Sequence, residues 1–266
     1  MVDVTFLGTG DAFSSGNRAN VALLISSGEF RMLIETGPTI LGQLDRAGLQ
    51  ARDIERVFVS HAHGDHILGF PMLTLNRLEA AGPLHVYAGL NTIASLRILN
   101  ALAFSSITAN EKRFRWHEIS EEGPDQVDVS YRITLQTVLP DHPPGLPTLA
   151  ARWNFADGPS ITFVTDTRPG QTTVDLARDS DLLIHEASFS ATLQPTENPE
   201  QYYHSTAQQA GEIARRAGCG QLALVHLGAQ IGERPEVLIE EARAGTDLHV
   251  VVPDDGDRLT VVGGPR

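Results

Sequence analysis

The sequence predicts a layered α/β fold, with two strand-rich halves packed on each other and covered by helices. Three observations carry this. Short apolar or alternating runs of strand length recur along the chain. Segments with helical spacing fall between them. The strands cluster early and again from about residue 129. At 266 residues the chain is long enough to bury a large core without disulfides, and one domain over 1–266 is expected.

In chain order, strands are expected at 2–7, 20–26, 30–35, 56–60, 84–88, 129–139, 148–155, 160–165, 181–185, 221–227, 247–252 and 258–262. Helices are expected near 39–48, 67–81, 90–103, 173–178, 205–217 and 235–244. The helix at 205–217 is the best delimited. Ser205 with Gln208, or Thr206 with Gln209, makes a capping box at its start, and Gly218-Cys219-Gly220 ends it. Either frame leaves His204 just outside the helix N-terminus. Pro143, Pro144 and Pro147 stiffen the loop after His142.

Composition narrows the function. Charged residues make up 20% and hydrophobic residues 41%, as in ordered globular proteins. The formal net charge of −13 argues against a nucleic-acid grip, which relies on Lys and Arg to neutralise phosphates. The single cysteine, Cys219, cannot form an intrachain disulfide and reads as a small core residue beside a strand. Met1–Gly8 has no basic n-region, and no run approaches the ~20 apolar residues that cross a bilayer. A cytoplasmic protein with no membrane contact is expected.

The chemistry concentrates in Ser60-His61-Ala62-His63-Gly64-Asp65-His66, directly after the run Arg56-Val57-Phe58-Val59. Four potential metal ligands fall within six residues. His61 and His63 are two apart and share a side on an extended backbone. Asp65 and His66 are adjacent, so they diverge and can serve a second cation. Gly64 is expected to let the chain turn sharply between the pairs. Imidazole and carboxylate donors suit zinc, and also iron or manganese.

Further donors are expected where apolar runs end, because functional groups gather in such loops. His142 follows Val138-Leu139, Asp166 follows 161–165, Glu186 follows 182–185 and His226 follows 222–225. His185 precedes Glu186 on a strand, so the two point to opposite faces and His185 stays outside the site. His85, His117 and His249 lie in apolar or mixed runs and read as structural.

Together these residues resemble the metallo-β-lactamase superfamily and, within it, the ribonuclease Z-like branch. The resemblance is carried by Thr5-Phe6-Leu7-Gly8-Thr9-Gly10, the His61–His66 loop, His142 and Thr165-Asp166-Thr167. It continues through His185-Glu186-Ala187-Ser188-Phe189, His204-Ser205-Thr206-Ala207 and His226. The His-x-His-x-Asp-His loop is shared across the superfamily; the later motifs are narrower.

The resemblance implies an αββα sandwich, two packed mixed β-sheets flanked by helices. It also implies a homodimer and a hydrolase using two Zn2+ ions, with Mn2+ or Fe2+ as alternatives. One metal would be held by His61, His63 and His142, the other by Asp65, His66 and His226, with Asp166 bridging. A carboxylate can join two cations because it has two oxygens. A hydroxide between the metals would attack a small phosphodiester or RNA end. Glu186 and His204 resemble the family's proton-delivery pair, and Asp65 is counted with them as catalytic. Glu186 would raise the pKa of His204, and the neighbouring helix dipole would oppose the rise.

The chain also departs from that branch. Glu35-Thr36-Gly37-Pro38-Thr39 stands where relatives carry an Asp-Cys-Gly-Glu-Gly-Thr-like stretch. Ser14-Ser15-Gly16-Asn17-Arg18 keeps an Arg but lacks the usual Pro, Lys and Arg-Asn pair. His142 and Asp166 are only 24 residues apart, with one basic residue, Arg152, between them. No basic tRNA-gripping arm fits there, so full-length tRNA is not the expected substrate.

Other readings remain at this stage. The same centre could hydrolyse a lactone, sulfate ester, thioester or β-lactam. Iron-dependent redox chemistry and a non-catalytic binding module are two more. A diiron site tends to carry a glutamate where this chain has His63, and a degenerate module usually loses ligands, whereas all seven are present here.

Overall fold

A computed structural model describes residues 1–108 and 110–264. It contains two seven-stranded sheets packed face to face, each with helices on its outer face. The expected αββα sandwich is therefore what forms.

The first sheet contains β1 (Val2–Gly8), β2 (Ala22–Ser27), β3 (Phe30–Ile34), β4 (Arg56–Phe58), β5 (Leu84–Gly89), β6 (Phe114–Ile119) and β14 (Arg258–Val261). Its spatial order is β14-β1-β2-β3-β4-β5-β6. The second contains β7 (Asp125–Ser130), β8 (Ile133–Val138), β9 (Ala150–Phe155), β10 (Ser160–Val164), β11 (Leu182–Glu186), β12 (Gln221–Val225) and β13 (His249–Val251). Its order is β13-β12-β11-β10-β9-β8-β7. Each sheet begins as an antiparallel meander and becomes parallel where helical crossovers connect its strands.

Period-two patterning assigns the faces. In β2, Leu23 and Ile25 point between the sheets, while Ala22 and Leu24 point toward helices. The inter-sheet core joins Phe6, Ile25, Met32 and Phe58 to Leu135, Trp153, Phe163 and Ile184. Trp153 is fully buried, meets Phe58 edge-on at 5.5 Å and donates its indole N–H to Met32 Sδ at 3.1 Å.

On the first sheet's outer face lie α1 (Ile40–Arg46), α3 (Phe70–Asn76) and α4 (Leu90–Ala103). On the second lie α6 (Gln171–Leu176), α7 (Ala207–Ala217) and α9 (Pro235–Arg243). Short helices α2 (Gly64–Ile67), α5 (Ser105–Thr108) and α8 (Ala229–Gly232) complete the set.

Three elements differ from expectation. The run 129–139 is a hairpin, β7 then β8, because the chain reverses at Tyr131-Arg132 with Arg132 at φ 62. The helix expected at 67–81 is shortened to α3, and the separate turn α2 before it shares only Ile67 with that range. Pro71 in the first turn of α3 has no N–H to continue an earlier helix, so it starts a new one. β6 is not among the expected strands; its short alternation, Phe114-Arg115-Trp116-His117, breaks at Glu118, and it forms as an edge strand paired with β5.

The start of α7 selects the second capping frame. Thr206 Oγ1 accepts the Gln209 N–H at 3.1 Å and Gln209 Oε1 accepts the Thr206 N–H at 2.8 Å. Ser205 instead donates its hydroxyl to the Thr167 carbonyl at 2.7 Å. Gly218, at φ 68, closes the helix. No helix among the described residues is long and apolar enough to cross a membrane.

Candidate metal centre

Most of the sequence-predicted donors lie beyond the C-terminal ends of central strands, where α/β sheets leave space for ligands. Beyond β4, His61 is fully buried, and its Nδ1 lies 2.8 Å from Ser60 Oγ. That contact leaves Nε2 facing inward, 2.9 Å from His63 Nδ1. His63 is extended (φ −66, ψ 151), so both imidazoles share one side as the spacing requires. Asp65 and His66 then sit in the single turn of α2. The chain does turn at Gly64, which opens α2 with φ outside the left-handed region, so the start of a helix makes the turn.

Beyond the second sheet's strands the donors arrive singly. Asp166 (φ 36) follows β10 and His226 (φ 60) follows β12, both left-handed. Such backbone costs about 1–3 kcal/mol per non-glycine residue and persists only where surrounding contacts enforce it. His142 follows β8; its Nδ1 lies 2.7 Å from Thr148 Oγ1 and 3.2 Å from the Leu146 carbonyl, leaving Nε2 for the centre.

The convergence is close. Asp166 Oδ2 lies 3.8 Å from His61 Nε2, while Oδ1 lies 3.5 Å from both His66 Nε2 and His226 Nε2. Asp65 Oδ2 is 3.0 Å from His66 Nε2 and 3.4 Å from His226 Nε2. Three clusters of possible ligands result among the described residues, and two of them share Asp166: His61, His63, His142 and Asp166, and Asp65, His66, Asp166 and His226; Glu186, His204 and His226 make the third. Within each, the ligating atoms lie within 4.8 Å of one another. His66 is fully buried, yet neither ring nitrogen makes a well-formed hydrogen bond. A cation would satisfy that orphaned nitrogen, so the residues fit a metal.

Electrostatics divide the groups. Burial pushes the His61 and His63 imidazoles down and takes His142 to about 4. Burial also opposes protonation of His66, but Glu35, Asp166 and Asp65 outweigh it and raise His66 well above its usual value. The same contest, with Asp166 and Asp65 prevailing, lifts His226 to about 9. Burial would raise Asp65 and Asp166; their imidazole neighbours hold both well below the carboxylate range.

Glu186, fully buried, forms the anchor of a separate network. Its Oε1 accepts the Ser205 N–H at 2.8 Å, and its Oε2 accepts the Ser188 N–H and hydroxyl, each at 2.8 Å. His204 Nδ1 sits 3.2 Å from Oε1. Burial works against protonated His204, but Glu186 prevails and raises it. Glu186 is held low by His204 despite burial. Ser188 Oγ also lies 2.9 Å from His226 Nδ1, linking this network to the donor groups.

All of this opens on a cavity of about 670 Å3, whose lining includes His63, Asp65, His142, Asp166, His204 and His226. His185 lies outside it, buried on β11 with Nδ1 2.7 Å from the Glu186 carbonyl oxygen. His85 and His117 contact each other at 2.9 Å on the β5–β6 pair. Burial pushes the Cys219 thiol up to about 12, which rules out a ready thiolate.

Sequence reasoning missed Glu35. It closes β3 at φ 65, is fully buried, lies 3.3 Å from His66 Nδ1 and accepts the Ser60 N–H at 3.2 Å. Its position at the end of an apolar run was the same signal that marked Asp166.

A model of the beta-lactamase superfamily domain matches residues 30–227. The chain belongs to the metallo-β-lactamase superfamily. Within it, the chain falls in the ribonuclease Z-like branch, and it is a hydrolase. The ribonuclease Z of Anoxybacillus flavithermus is 30% identical, over 91% of this chain and 92% of that protein. That of Halorubrum lacusprofundi is 29% identical, over 97% and 96%. Among solved structures, the metallo-beta-lactamase fold protein YhfI from Bacillus subtilis matches with a TM-score of 0.81. It is 22% identical, over 97% of this chain and 98% of that one.

Proposed function

We propose that this superfamily member is a dinuclear metal-dependent phosphodiesterase acting on a small phosphodiester or short RNA end. The observation that carries the reading is Asp166, whose two oxygens face the two donor groups separately. In this reading His61, His63 and His142 hold one Zn2+, Asp65, His66 and His226 hold the other, and Asp166 bridges; Mn2+ or Fe2+ would suit the same donors. When bound, such a pair supplies a water ionised near neutral pH and positive charge against the attacked phosphoryl group.

The chain's own residues do the rest. Asp65 turns Oδ2 toward His66 and His226 and leaves Oδ1 to orient the attacking water. Glu186 holds His204 at Nδ1, and its carboxylate raises the imidazole pKa and favours the protonated ring. His204 lines the cavity and delivers that proton to the leaving oxygen.

Full-length tRNA is not the substrate in this reading. The alignment with the Halorubrum lacusprofundi ribonuclease Z spans 304 positions against 266 residues here, so that relative carries at least 38 residues this chain lacks. Between His142 and Asp166 the chain folds directly into β9 and β10.

We read the whole chain as one domain, because both sheets build the central core and β14 returns to pair with β1. We also infer a cytoplasmic homodimer. Leu90, Ile98 and Leu102 on α4 are exposed apolar residues of the kind a partner copy covers.

The test is metal analysis coupled to a panel of phosphodiester, lactone, sulfate and β-lactam substrates. Two zinc or manganese ions per chain with phosphodiester hydrolysis is the expected result. A single iron, or turnover confined to another ester class, would overturn the reading.

A further inference from the structure

Beside the donor groups, the cavity has a chemistry that metal binding does not explain. Phe13, Phe189 and Tyr202 also line it. Phe189 and Tyr202 are stacked, with centroids 5.9 Å apart and planes at 11°. Phe13 is 86% exposed and Tyr202 58% exposed. Large exposed aromatics converging on one recess mark a binding surface.

The exposure of Phe13 is built in. Asp11 Oδ1 accepts the Phe13 N–H at 3.1 Å and the Ser15 hydroxyl at 3.0 Å. Ser15 Oγ in turn accepts the Ala229 N–H at 3.0 Å. Buried Arg18 ties the loop's far end to the Pro253 carbonyl at 2.8 Å and to Asp254 at 2.7 Å. Ser14 and Asn17 adopt left-handed backbone at φ 50 and φ 61, which this strapping sustains. The basic residue of this loop is thus structural, and an aromatic ring is what the loop presents.

Charge points the same way. Among the described residues no Lys or Arg lines the cavity, whereas Asp11 and Glu197 do. A nucleic-acid strand binds through successive phosphates matched by Lys or Arg. Among the described residues that line the cavity, the donor groups that would hold the metals are the place suited to a phosphate. The remainder of the substrate meets aromatic faces, which stack planar rings without a base-specific contact.

Resting on the phosphodiesterase reading above, we propose that Phe13 and the Phe189–Tyr202 stack form a slot for one planar ring. The substrate is then a small phosphodiester carrying a single nucleobase or aryl group, not an RNA strand.

The test compares binding of product-like monoesters to the full, metal-reloaded chain by calorimetry. Adenosine 5′-monophosphate and ribose 5-phosphate share phosphate and sugar and differ in the base; phenyl and methyl phosphate form a second pair. The ring-bearing member is expected to bind about tenfold more tightly. Phe13→Ala and Tyr202→Ala should each reduce that preference several-fold and leave ribose 5-phosphate binding unchanged. Both side chains are exposed, so melting temperatures should not move.

A preference confined to the adenosine compound assigns the slot to nucleobases, and one shared by phenyl phosphate assigns it to aryl rings generally. Equal affinities within both pairs, or affinity that climbs with oligonucleotide length, overturn the proposal. Absence of bis(p-nitrophenyl) phosphate hydrolysis removes the phosphodiesterase reading beneath it. Hydrolysis without ring preference removes the slot alone.

Discussion

The two halves of the molecule equip the same cavity in opposite ways. The first half delivers His61, His63, Asp65 and His66 from one loop after β4. The second delivers His142, Asp166, Glu186 and His226 one at a time, from the ends of four strands. The loop needs only an extended residue and one helical turn to aim its donors. The second half needs its central strands correctly registered, and left-handed backbone at Asp166 and His226. A local motif is cheap to specify, and a distributed one depends on the whole sheet.

The two donor groups, each drawn from both halves, also differ in proton content. His61, His63 and His142 are pushed toward the neutral form, whereas His66 and His226 hold protons against neighbouring carboxylates. One group is ready for a cation, and the other must exchange protons for it.

The comparison can be broken most severely at Asp166, the residue common to both groups. Asp166→Ala should lower kcat/KM for an activated phosphodiester on the order of a thousandfold or more and reduce metal content at both positions. Unchanged activity in that variant would discredit the bridging role.

His204→Ala should cost less, roughly a hundredfold for substrates with poor leaving groups, with metal content intact. An equal loss across good and poor leaving groups would remove the acid role.

Glu35→Gln tests whether the first half also relies on a distant strand end. It should weaken cation affinity at the His66 group by about tenfold or more, measured by competition with a chelating dye. Wild-type affinity would mean that Glu35 only supports the Ser60 backbone.

The smallest effect is a proton count. Below about 9, the His226 imidazole keeps its proton in the cation-free protein. Calorimetric loading at pH 7.5 in buffers of different ionisation enthalpy should therefore show the first cation entering with little proton release. The second should displace on the order of one proton or more. Because its folded pKa is raised, the contribution of His226 to cation-free stability should be fully present below the unfolded value of about 6.5. It should fall as pH rises through about 9. Proton release with the first cation alone would reverse the order.

Elements with strong local signals were legible before any coordinates. The helix expected at 90–103 is α4 to the residue. The capping box and Gly218 bounded α7 because side-chain caps act within four residues. Elements defined by their neighbours were not legible. β6 exists because β5 offers an unpaired edge, and the break between α2 and α3 follows from Pro71 overriding apolar periodicity.

The donors show the same division. Spacing alone marked the 61–66 loop as a metal site, because residues two apart on extended chain must share a side whatever surrounds them. The strand-end donors were candidates in sequence, and the resemblance gathered them into a centre. Glu35 also ends an apolar run but was passed over, since the sequence does not show that its carboxylate is buried against His66. Where each oxygen of Asp166 faces, which imidazoles are pushed up or down, and that aromatic rings rather than arginines line the cavity were decided only by the tertiary structure. Those properties depend on distances and burial between residues remote along the chain, and local chemistry does not encode them.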